Sequence, residues 1–86
     1  MATSKIPAKV KSKTFTLHTD ATWGTMAVPS DVPKDRITNA YLTGAYSYFA
    51  LTVRGDGLMF AWYFDNNGTP AILRNADVSG VINYLD

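Results

Sequence analysis

An all-β fold is predicted by three features of the sequence. It contains no Glu and no Gln, it carries ten Thr and eleven aromatic residues, and its apolar residues recur at period two between clusters of Gly, Pro, Asn and Asp. The first feature removes two strong helix formers, and the second supplies residues that suit a pleated, half-buried surface. The third is the signature of short strands separated by turns. At 86 residues, 47% hydrophobic and 17% charged, the chain has the apolar content to fold and the length for one domain.

The elements follow in order. Residues 1–13 mix lysines with a proline and read as a basic leader or stalk end, offering at best one edge strand, so that 14–86 is the folded domain. Phe15 and Leu17 alternate with Thr14, Thr16 and His18, giving a strand with one buried face. After a turn at Thr19-Asp20, residues 22–28 form a second strand, with Met26 and Val28 on one side, Trp23 on the other, and Gly24 marking a bulge or a close backbone approach. Two prolines and two aspartates make residues 29–35 a loop. Residues 37–43 resume a strand whose faces, Ile37, Asn39 and Tyr41 against Thr38, Ala40 and Leu42, each mix apolar and polar residues, and 48–54 alternate clearly through Phe49, Leu51 and Val53. Gly55-Asp56-Gly57 supplies a hairpin turn.

The run 58–64 places Leu58, Phe60, Trp62 and Phe64 on one face and Met59, Ala61 and Tyr63 on the other. Both faces are apolar, which predicts a central strand and places Trp62 in the core. Asp65-Asn66-Asn67-Gly68 is the strongest turn signal. A short strand at 71–74, a turn at 75–77 and a closing strand at 78–85 complete seven or eight strands. This spacing favours a small antiparallel β-sandwich, jelly-roll-like. A core this small, in a chain with no Cys and no metal motif, leaves oligomerisation as the stabilising device.

Charge narrows the function. Lys5, Lys9, Lys11 and Lys13 give the first thirteen residues +4, and the remainder holds four basic groups against seven acids, 4 − 7 = −3. Nucleic-acid grooves need cations on the folded face, so no nucleic acid is expected as partner. No apolar run approaches a membrane span and no export signal is visible, so no membrane insertion is expected. His18 is the one histidine, every acid is an Asp in a loop or at the terminus, and no phosphate-cradling loop precedes a helix. The protein is expected to be no enzyme, with no metal and no cofactor. Arg54-Gly55-Asp56 spells an integrin-read tripeptide, but turn chemistry accounts for it.

Recognition is carried instead by aromatic faces, which stack on sugar rings and anchor interfaces. Trp23 and Tyr46, beside Gly24 and Gly44 and near loops, are the ligand candidates, and Asp65, Asn66 and Asn67 can add hydrogen bonds to hydroxyls or simply make their turn.

The order of features resembles the small C-terminal head domains of bacteriophage tail-fibre and baseplate receptor-binding proteins. The resemblance covers residues 14–86 and rests on the Ser30–Pro33 turn leading into Ile37–Tyr41, the Tyr48–Arg54 strand, the Asn67-Gly68-Thr69 turn and the closing Val78–Leu85 strand. It implies a compact homotrimer at a virion tail tip that binds a bacterial cell-surface saccharide, and it transfers no binding residues. The alternatives are a purely structural trimerisation or capping domain and a cell-adhesion module.

Overall fold

The computed structural model describes residues 9–86. Seven strands form two antiparallel sheets: β1 (Val10–His18), β2 (Thr25–Ala27), β3 (Ile37–Thr43), β4 (Ala50–Val53), β5 (Leu58–Phe64), β6 (Pro70–Ile72) and β7 (Asp77–Leu85). The first sheet has the order β1-β7-β3. In the second, β5 lies between β4 on one edge and β2 followed by β6 on the other. The chain passes between sheets at β1–β2, β2–β3, β3–β4 and β6–β7, which makes a small sandwich.

Its core is filled from both layers: Phe15, Val78, Ile82 and Leu42 from the first sheet meet Met26, Met59 and Ala61 from the second, with Val32 and Phe49 closing the ends. The buried Thr19 is satisfied by the Ala76 peptide, whose N–H donates to its Oγ1 at 2.9 Å. One rank of the first sheet is built around a missing side chain. Phe15 lies opposite Gly80, and its ring covers that glycine so closely that a Cβ there would lie 2.6 Å from it.

Several sequence expectations shift. β1 begins at Val10 and pairs Val10 with Leu85, so Lys11 and Lys13 belong to the sheet rather than to a leader. Lys13 contacts Asp31 at 2.9 Å and so pins the 29–35 loop; the hydrogen bond to Asp31 raises the Lys13 pKa and lowers that of Asp31. Residues 1–8 of the expected leader lie outside the described residues. β2 is shorter than expected, because the N–H groups of residues 22–24 bond the Asp20 carboxylate instead of a neighbouring strand. Gly24 does mark a close approach: at φ 67° it sits against the Leu73 carbonyl and the Ile72 side chain. Residues 44–46 form a single 3-10 turn that periodicity did not announce. Asp77 opens β7 rather than ending a turn.

Candidate functional site

β5 is central within its sheet, yet the described residues cover only one of its faces. Met59 and Ala61 are fully buried against the first sheet. Leu58, Phe60 and Trp62 are half-buried, and Phe64 is exposed, on the side that no described element covers. Trp62 is therefore not a core residue. Periodicity identified two apolar faces correctly, but local pattern carries no information about which of them finds a second layer.

The register assembles this open face in ranks. Phe64 lies opposite Pro70; Trp62 is flanked by Ala50 and Ile72; Phe60 is flanked by Thr52 and Thr25; Leu58 lies opposite Ala27. Arg54 extends the face by one position, since its N–H donates to the Leu58 carbonyl at 2.8 Å. Trp62 is fixed twice. Its indole N–H donates to Thr52 Oγ1 at 2.8 Å, and its ring meets that of Phe64 edge-on at 4.9 Å. Two shallow depressions result, one of about 370 Å³ bounded by Trp23, Arg54, Phe60 and Ile72 and one of about 320 Å³ bounded by Phe60, Trp62, Phe64 and Pro70.

Trp23, 68% exposed, stands at the first depression on a loop organised by Asp20. One Asp20 oxygen accepts the N–H groups of Thr22, Trp23 and Gly24 at 3.0, 2.6 and 2.7 Å, and the other accepts the Thr25 hydroxyl. Four donors stabilise the charged carboxylate and hold its pKa down at about 2, the Thr25 hydroxyl contributing most and the Trp23 N–H next. Arg74 Nε donates to the Thr22 carbonyl at 2.8 Å and ties the same loop to the segment after β6.

The other candidates divide. Asp65, Asn66 and Asn67 sit in the turn beyond Phe64, at the opposite end of the face from Trp23. There Asp65 Oδ1 accepts the N–H groups of Asn67 at 2.8 Å and Thr69 at 2.9 Å, so its carboxylate is engaged in making the turn, while Asn66 and Asn67 are exposed. Tyr46 is not brought to the face. It lies half-buried in the 3-10 turn, packed edge-on against Phe49 at 5.6 Å, because that turn folds its ring over the end of the core. Its neighbour Tyr48 is 70% exposed instead. Arg54 and Asp56 bond each other at 2.8 Å across their hairpin, in keeping with turn chemistry for that tripeptide.

The outer face of the first sheet is more polar, its hydrogen-bonded ranks separated by the Thr14–Val81–Tyr41 rank. Ser12 donates to Asn83, Asn83 donates to Asn39, and Thr16 pairs with Ser79. His18 reaches not Asp20 but residues 59 and 57 positions away: Nδ1 lies 2.7 Å from Asp77 Oδ1 and Nε2 lies 2.9 Å from Asn75 Oδ1. In its charged form the ring donates to both oxygens, and the hydrogen bonds to Asp77 first, then Asn75, raise the His18 pKa. An aspartate orienting a histidine supplies two of the three members of a catalytic triad, but the Nε2 that would take a nucleophile's proton faces Asn75, and the hydroxyls of Thr16 and Ser79 bond each other. Asp77 was invisible as a partner because only the β1–β7 register brings it opposite His18.

In comparisons with protein-family models, curated proteins and solved structures, the chain matches none.

Proposed function

We propose that the chain is a non-catalytic binding module, the homotrimeric receptor-binding head of a phage-type fibre at a virion tail tip, and that its open aromatic face takes a bacterial surface saccharide. The observation that carries this reading is the face itself: Phe60, Trp62 and Phe64 displayed on a sheet and flanked by the loop-borne Trp23, with Thr25 and Thr52 on either side of Phe60. Rings held rigidly by a sheet stack on the apolar faces of pyranoses at little entropic cost, and a few polar groups fix orientation. Shallow sites of this kind bind weakly one at a time. Three on one head gain by effective concentration.

The test is a glycan array, or a pull-down with host cell walls, using the wild type, Trp23→Ala, Trp62→Ala and Tyr46→Ala. Each tryptophan variant is expected to weaken binding about tenfold, as loss of one stacking ring implies, while Tyr46→Ala, away from the face, leaves it unchanged. Wild-type protein that binds no glycan and no cell wall overturns the reading.

A second reading is favoured by the same apolar surface: a structural trimerisation or capping domain in which this face is the subunit contact. Trp62→Ser would then convert the assembly to a 9.4 kDa monomer in sedimentation equilibrium, whereas a saccharide face leaves the mass unaltered.

A further inference from the structure

The two depressions of the aromatic face differ in charge. The one at the Phe64 end is bounded by Thr52, Phe60, Trp62, Phe64, Pro70 and Ile72, without a charged group. The one at the Trp23 end has Arg54 on its wall. Arg54 arrives there by period two, one rank beyond Thr52 on the same face of the sheet. Asp56 engages it at Nη2, and a guanidinium has five N–H groups, so directional donors remain. Arg54 also bounds a neighbouring depression together with Lys34, whose aliphatic stem packs against Gly57. Among the residues bounding the Trp23-end depression Arg54 is the charged one, and the nearest carboxylate on the other side, Asp20, is turned to the Thr25 hydroxyl and the N–H groups of its own loop.

Resting on the proposed saccharide reading, we infer that the Trp23–Arg54 depression is an anionic subsite for a pyranose bearing a carboxylate or phosphate. The sugar ring lies against Trp23 and Phe60 and the anion is received by Arg54. Arg54 is then the residue that sets specificity, since charge-assisted, bidentate recognition of an oxyanion is what a guanidinium provides. The aromatic rings supply affinity for acidic and neutral sugars alike.

Both tryptophans of the chain, Trp23 and Trp62, lie on this face, so intrinsic fluorescence reports occupancy. The titration uses polygalacturonate, its carboxyl-reduced neutral form, and a glycerol-phosphate polymer. Wild-type protein is expected to bind at least one acidic polymer roughly tenfold more tightly than the reduced one, the scale of one hydrogen bond to a charged group. The preference shrinks with added salt, and which acidic polymer wins separates carboxylate from phosphate. Arg54→Gln is expected to bring the acidic polymer down to the level of the neutral one. Asp56→Asn, which releases Arg54 and retains the Oδ1 acceptor for the Leu58 N–H, is expected to raise acidic binding.

Equal binding of acidic and reduced polymers by the wild type, or a preference that survives Arg54→Gln, overturns the anionic subsite. So does failure of all three polymers to bind when cell walls are bound and Trp23→Ala reduces that binding, an outcome that leaves the saccharide face standing. If Trp23→Ala changes nothing, or if the face proves to be occupied by a second copy of the chain in sedimentation equilibrium, both readings fall.

Discussion

Gly80 shows what a single absent carbon does in a core this thin. The Phe15 ring occupies the space its side chain would take, and the Tyr41 carbonyl lies 2.5 Å from the position of a Cβ, where backbone has no room to yield. Gly80→Ala is expected to cost about 1–3 kcal/mol of stability, the usual toll of overpacking, read as a lower midpoint in chemical denaturation with an unchanged slope. Two of the shifted titrations, those of His18 and Asp20, act in opposite directions. His18 is raised above its ordinary 6.5, so its contribution is complete below about pH 6.5 and is lost as pH rises through the folded-state value. Denaturant midpoints should fall across that interval in the wild type and stay flat in His18→Gln. Asp20 is depressed from 3.8 to about 2; its contribution is present above about pH 4 and disappears as pH falls towards 2. Of these roles, the turn-making of Asp20 and Asp65 was legible in the sequence, since Asx turns are local. The partnership of His18 with Asp77 was not, because it is a consequence of pairing between the first strand and the last.

At the scale of elements, β3 and β5 have the boundaries expected from the sequence, although the faces of β3 do not alternate cleanly, and the 29–35 loop and the 65–68 turn fall where Pro, Asn and Gly place them. The fourth strand starts at Ala50 rather than at residue 48, where the backbone closes a 3-10 turn, and the second strand fails where a side chain outcompetes a ladder. The Asp20 carboxylate withdraws residues 22–24 from the second strand and turns them into the support of Trp23. Asp20→Ala should therefore loosen that loop while the sheets persist, seen as lower Trp23 fluorescence anisotropy and weaker glycan binding with an intact β-type circular dichroism spectrum. The Trp62–Thr52 hydrogen bond is a second, separable support. Thr52→Val preserves shape and removes the acceptor, and is expected to cost about 1 kcal/mol and to shift the Trp62 emission. Trp62 itself was misplaced by periodicity for a plain reason. A run that is apolar on both sides demands two covers, and one of them is not supplied by the described residues of the chain.

The whole molecule is thus a sandwich whose two outer surfaces obey different rules. One is dominated by Ser, Thr, Asn, His and Asp side chains bonded to one another across strands β1, β7 and β3, with the Val81–Tyr41 rank set between them. The other is largely hydrocarbon and aromatic. The domain consequently has a built-in up and down. Set free above an apolar or sugar-coated boundary, it should settle with β5 towards the boundary and β7 towards water, as a surfactant does, because turning over would wet the rings and dry the polar lattice. A head that orients itself by its own polarity needs no separate device to aim it. Adsorbed protein should then show both tryptophans shielded from an aqueous quencher while His18 continues to titrate.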